Sequence, residues 1–328
     1  MIPSVVCFGE VLLRLSAPGH ERLLQSPNLQ VFFGGAEANV AAALSAFGHP
    51  TAMISVLPDN PLGAATIASL RSQNIDSRFL ATKPGRMGLY FHTQGAMQRP
   101  SEVVYDRADS SFALAGPDTF DWAQILTGVK WLHVSGITAA VSEQGTKSVL
   151  RAVQSAQRLG TRVSFDCNYR ARVWGARSVQ APGILKELCG YATLLFADDR
   201  DIELMLGSSA TTATAFEQFP SLRWIARTQR RVHSVEKQLY SGEFVSRSVQ
   251  LKSREYDLSG IVERIGAGDA FAAGALHRLL VDESDVHAVI EFATAAACYK
   301  HSLPGDACIA TVAEIDALLG ERTADIKR

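Results

Sequence analysis

The sequence predicts an α/β protein: a doubly wound, mainly parallel sheet with helices on both faces and a small β-sheet lid. Three observations predict it. Short β-rich apolar runs alternate with longer helical patterns through most of the 328 residues, the arrangement that a parallel sheet covered on both faces requires. Two stretches, 11–33 and 86–106, interrupt that rhythm with short alternating segments and no helix between them. From Asp269 onward the pattern is helical.

Taken in order, strands are predicted over 5–8, 52–57, 131–134, 163–165, 193–196 and 224–227. Each is a short apolar run of the kind that fills a sheet buried on both sides. Helices are predicted between them over 38–47, 62–73, 143–159 and 199–206, and then over 269–280, 286–300 and 312–319. The interrupting stretches, with segments such as "LYFHTQ" and "EVVYD", read as antiparallel strands leaving the main sheet. They divide the chain into a core (1–10, 34–85 and 107–328) that carries the sites and a β lid (11–33 and 86–106). A small sheet over the carboxyl ends of a doubly wound core is placed to cover a site.

Composition excludes several functions. The 32 basic and 33 acidic residues nearly cancel and are mixed along the chain, so no basic stripe points to nucleic acid or to a membrane surface. No apolar run approaches a membrane span. The opening "MIPSVVCFGEVLLRL" lacks the basic start and cleavage site of a signal peptide, so a cytoplasmic location is expected. Five scattered cysteines without a CxxC pair read as reduced, buried thiols.

The stretch "RIGAGDAFAAG", Arg264 to Gly274, carries the chemistry. A strand is expected to end near Arg264. The glycines of Gly266, Ala267 and Gly268 let successive amides turn to one side, and at a helix N-terminus those amides lack intrahelical partners. Together they form an anion hole, with Asp269 at its edge. An acid beside an anion hole suits phosphoryl transfer: the amides hold developing phosphoryl charge and the carboxylate accepts a proton from the attacking hydroxyl. The same four residues also fit a glycine-preceded helix with Asp269 as its cap. The small residues that follow would let the helix sit close to the sheet. GxxxxGK[ST] is absent, and the third glycine of GxGxxG would fall on Phe271.

"GAGDAFAAG" resembles the second signature of the ribokinase-like (PfkB) carbohydrate kinases, and "FGGAEANVAAALSAFG", Phe33 to Gly48, resembles the first. The resemblance covers nearly the whole chain and implies a ribokinase-like fold. It also implies that Asp269 is the catalytic base, that Gly266, Ala267 and Gly268 form the anion hole, and that Gly34, Gly35 and Asn39 contact the sugar. Taken alone, Gly34–Gly35 fits an ordinary turn before a helix.

Two arginines bear on the substrate, because a guanidinium fork matches a carboxylate. Arg107 follows a lid strand and Arg170 follows a core strand, and both also fit surface pairing, Arg107 with Asp106 or Asp109. "YDR", "DCNYR" with a following tryptophan, "KHSLPGD" and the opening "GEVLLRL" are similar to the 2-keto-3-deoxygluconate kinases of that family. The similarity implies that Tyr90, Tyr105, Arg107 and Arg170 contact a keto-acid, that ATP and Mg2+ are used, and that the product is the 6-phosphate. A neutral ketose such as fructose, and a non-catalytic sugar-acid sensor, are the alternatives. The family also implies a homo-oligomer through the lid.

Two departures stand out. In "FADDRDIELMLG", Asp198 and Asp201 replace the family's usual Asn and Glu; two acids attract a hydrated Mg2+, and they equally charge and cap a helix start. After the strand at 224–227, the glycine-rich nucleotide turn is missing. Thr228 and Arg230 stand there instead, with Arg230 placed along nucleotide phosphates or on a basic surface loop. Adenine is expected near the helix at 293–297.

Overall fold

The computed structural model describes residues 2–320. Its strands, in chain order, are β1 (Val5–Phe8), β2 (Leu12–Ser16), β3 (Gln30–Gly34), β4 (Thr51–Pro58), β5 (Leu80–Lys83), β6 (Leu89–Thr93) and β7 (Glu102–Asp106). They continue with β8 (Trp131–Ser135), β9 (Arg162–Asp166), β10 (Leu194–Phe196), β11 (Trp224–Val232), β12 (Lys237–Ser246), β13 (Gln250–Lys252) and β14 (Tyr256–Ser259).

Ten strands form one sheet in the order β13-β12-β11-β10-β9-β8-β1-β4-β5, with β14 also paired to β12. From β11 through β5 all neighbours are parallel. The sequence dictates why: consecutive side chains of a strand face opposite ways, and both ways are apolar. On β1, Val5 and Cys7 enter one core while Val6 and Phe8 enter the other, all essentially inaccessible. The first core lies beneath the Ala36–Ala46, Ala267–Val281 and Val286–Lys300 helices, and the second beneath Glu143–Leu159 and Ala181–Cys189.

The predicted core strands are all present, and the predicted helices stand where the pattern put them. From β1 the chain builds β4 and β5 on one side and then returns to build β8 through β11 on the other. That reversal opens a crevice at the carboxyl ends of the strands, where doubly wound folds bind ligands.

Three expectations about the core are corrected. β11 continues to Val232 as an antiparallel hairpin with β12, where a surface loop stood as one reading. Its second half, "RTQRRV", is polar on both faces and mostly exposed, so it lacks the apolar signal of a core strand. The strand before the glycine turn ends at Ser259; the chain then hangs on the next turn, with the Val262 and Glu263 amides donating to the His301 carbonyl at 2.9 and 3.2 Å. The small residues of the Ala267–Val281 helix serve helix–helix contact: a Cβ on Gly274 would stand 2.7 Å from the Ala293 Cα. Ala293 and Ala295–Ala297 are sealed in the core.

The small sheet has the order β3-β2-β6-β7. Two antiparallel hairpins meet along a parallel β2–β6 seam, which departs from an all-antiparallel reading because the hairpins come from separate excursions of the chain. All five cysteines are buried, and none is joined in a disulfide. Among the described residues no helix is long and apolar enough to cross a membrane.

Candidate active site

Gly266 is the N-cap of the Ala267–Val281 helix, with φ 81°. Only glycine takes that conformation cheaply, and here space demands it as well: a Cβ would lie 1.7 Å from the Asp306 carbonyl oxygen. Asp269 is therefore the third residue of the helix and not its cap. Its Oδ2 accepts a hydrogen bond from Asn39 Nδ2 at 2.7 Å. Asn39 is held by the Ala36–Ala46 helix, which Gly35 begins at φ 141° with a Cβ position 2.4 Å from the Glu10 carbonyl. The two glycine turns thus bring helices from opposite ends of the chain onto one carboxylate.

That carboxylate faces a cavity of 1060 Å³. Gly266, Gly268, Asp269, Gly35 and Asn39 form one wall. Tyr90, Tyr105, Arg107 and Arg170 line it from the small sheet and the end of β9, and Asp198, Asp201, Thr228 and Arg230 line it from the far side. Two expected residues fall outside. Gly34 is buried against Asp306, whose Oδ2 lies 2.0 Å from where its Cβ would be, and Ala267 is packed into the core.

Burial and crowding set the charges. Asp269 is pushed up to about 7, chiefly by burial, against the Asn39 hydrogen bond; Glu37 and Asp306 push it further and Arg170 pulls it back. Asp166, at the end of β9, is pushed up to about 8 by burial and by Asp269, again opposed by Arg170. Burial also raises Asp201 and Glu37. Asp198 is lowered: burial works against its charge, but Arg200 and the backbone amides outweigh that. Asp198 and Asp201 form a reciprocal capping box at the start of the Asp199–Leu206 helix, so the cap is real whatever else they hold.

The small sheet is tied to this wall by buried ions. Arg14 on β2 donates from Nη1 to Asp306 Oδ1 at 2.8 Å, from Nη2 to Glu263, from Nη2 to His92 Nδ1 at 2.7 Å and from Nε to Ser16 at 2.6 Å. Tyr90 donates its hydroxyl to Asp306 Oδ2. Burial, with Arg14 alongside, lowers His92 to about 4, so it is neutral and accepts. Arg107 pairs with Glu10, through Nε at 2.8 Å and Nη2 at 2.6 Å, and not with Asp106 or Asp109; Asp106 is taken by Arg86. Arg170 is exposed at the cavity edge, its Nη1 donating to the Tyr169 carbonyl at 3.2 Å. Arg230 lies over the Tyr240 ring at 5.3 Å.

Sequence reasoning passed over Glu10, Arg14, Glu37, Asp166 and Asp306. The position of Asp166 at the carboxyl end of a core strand was the available signal. The others are defined by partners far away in the chain.

A doubly wound sheet, an acid beside a glycine-turned helix start, and a small sheet across the mouth define a ribokinase-like carbohydrate kinase. The model of the pfkB family carbohydrate kinases matches residues 3–309, and the chain belongs to that family. The 2-dehydro-3-deoxygalactonokinase of Haloferax volcanii is 30% identical over 100% of both chains. The crystal structure of 2-dehydro-3-deoxygluconokinase from Thermotoga maritima is 36% identical, with a TM-score of 0.91 over 96% of this chain and 98% of that one. A PfkB family carbohydrate kinase from Listeria grayi is 35% identical, with a TM-score of 0.91 over 96% and 99%.

Proposed function

We propose that this kinase transfers the γ-phosphoryl group of ATP to the 6-hydroxyl of 2-keto-3-deoxygluconate. One observation carries the reading: Arg170 and Asp269 line the same cavity, and Arg170 forms no salt bridge among the described residues. A sugar acid spanning that cavity would present its carboxylate to the arginine and its far hydroxyl to the aspartate. Tyr90 and Tyr105, with ring centroids 6.3 Å apart, offer a carbon face between them, and Tyr105 a hydroxyl.

Asp269 takes the hydroxyl proton as the oxygen attacks the γ-phosphorus, the bond to the ADP oxygen breaks, and the amides at Gly266–Gly268 hold the transferred charge. With a pKa of about 7, the carboxylate can accept that proton near neutrality. Asn39 orients it. Thr228 and Arg230 lie where the nucleotide phosphates would run.

Asp166 and Asp201, both raised chiefly by burial, line the cavity together with Asp198, an acidic set that fits a hydrated divalent cation. Among the described residues no three acidic, histidine or cysteine side chains converge as a direct cage, so Mg2+ would be held largely through its waters, near Asp201 and Asp198. Bound there, it would neutralise phosphate charge; EDTA should abolish turnover.

The relatives split between gluconate- and galactonate-derived substrates, so the galactonate epimer is the second reading. The exposed Val31 and Val104 on the edge strands of the small sheet support a homo-oligomer built through it. A coupled ATP assay with 2-keto-3-deoxygluconate, 2-keto-3-deoxygalactonate, fructose and ribose tests the assignment. A kcat/KM at least tenfold higher on fructose than on either keto-acid would refute it.

A further inference from the structure

Lys300 is the last residue of the Val286–Lys300 helix, and it is completely inaccessible to solvent. Fully buried lysines are rare, because an ammonium taken out of water must be compensated. Here the compensation is local. The Nζ donates to the Leu303 carbonyl at 3.0 Å, while burial, which pulls its pKa down, is opposed by Glu263 and Asp306. With Arg14, the two cations balance the two acids in one buried cluster.

The position of the cluster is what distinguishes it. The Lys300 Cε lies 3.3 Å from where a Cβ of Gly266 would be. The lysine stem therefore runs beneath the glycine turn that lines the cavity. Glu263, which it helps neutralise, accepts the Arg264 and Ile265 amides at 2.9 and 3.1 Å and so shapes the approach to that turn. Stability alone does not call for this arrangement, since buried ion clusters are often matched or bettered by apolar packing. A fixed charge behind an anion hole does have a use: in a low-dielectric setting it acts on charge that develops during reaction, at no cost of reorganisation.

We propose that Lys300 is a positioning residue for phosphoryl transfer: its sealed ammonium sets the conformation of the Gly266 turn and backs the turn's amides with positive charge. The proposal rests on the kinase reading above. Lys300 touches no substrate, so its removal should act on kcat and not on sugar binding.

The test is Lys300→Met, which keeps the volume and deletes the charge, beside Lys300→Ala, which leaves room for a small cation. For Lys300→Met we expect kcat to fall at least about tenfold, with KM for the sugar acid within about twofold. In Lys300→Ala, ammonium chloride should raise kcat several-fold where equal tetramethylammonium chloride does not. A folded Lys300→Met with kcat within twofold of wild type overturns the proposal, as does a folded Lys300→Ala without ammonium rescue. Should both variants fail to fold, the wild-type enzyme decides: with ¹³C-labelled lysine, the resonance protected from a soluble paramagnetic agent should shift when ADP and aluminium fluoride fill the site. No shift overturns the proposal. Absence of any sugar-acid kinase activity in the wild-type protein would instead remove the functional reading on which it stands.

Discussion

On the small-sheet side of the cavity, charged side chains are matched before any ligand arrives: Arg107 with Glu10, and Arg14 with Glu263 and Asp306, all buried. Beyond the small sheet, Arg170 after β9 and Arg230 on β11 are exposed and form no salt bridge among the described residues. Arg264 sits between, its pKa lowered by burial and then by Arg230. The contrast separates two ways of using an arginine. A buried pair fixes geometry and is costly to break; an exposed, unmatched guanidinium contributes little until an anion reaches it.

The largest effect should fall where the two sides meet. Asp269→Asn should lower kcat by about two orders of magnitude or more, the scale of lost general-base catalysis. The same change should leave the protein melting higher at pH 8. The folded pKa of Asp269 is raised to about 7, so its favourable contribution is complete only below the unfolded value and is lost as pH rises through 7. Asparagine escapes that loss, and the two melting curves should converge below about pH 4.

The comparison itself is broken or sharpened by two alanine variants. Both Arg107→Ala and Arg170→Ala should raise KM for the sugar acid more than KM for ATP, about tenfold for Arg170→Ala as a charged hydrogen bond is lost. Only Arg107→Ala should also destabilise the fold, by about 3–5 kcal/mol, because Glu10 is left buried and unpaired. Urea unfolding checks this, and equal stability losses in the two variants would erase the distinction between the walls.

Smaller effects follow. In the wild type, kcat/KM should decline below about pH 7 with the slope of one proton, as Asp269 becomes protonated and can no longer accept. Arg230→Ala should raise KM for ATP a few-fold, an effect that shrinks in high salt because the residue is exposed. Kinetics at 0.05 and 0.5 M KCl would show it.

The parallel sheet was legible because each core strand must be apolar on both faces. The Asp269 turn was legible because glycine, alanine, glycine and acid must be contiguous to work. The antiparallel β11–β12 hairpin was not, since Arg230 and Arg231 face solvent and leave no apolar period. Asp269 was also open to misreading as a cap: only the backbone of Gly266 decides which residue begins the helix. The Arg14 cluster was the least accessible, because its partners lie 249 and 292 residues away, and no reading of spacing couples positions so distant.

That separation has a consequence for biosynthesis. A ribosome delivers the chain from its N-terminus at about 5–20 residues per second, so β2 emerges well before Asp306. Until Asp306 leaves the exit tunnel, Arg14 has no counter-charge there, Tyr90 has no acceptor there, and the Gly266 turn lacks the carbonyl it rests on. A nascent chain can assemble most of its sheet co-translationally, but catalytic competence has to wait until Asp306 has emerged.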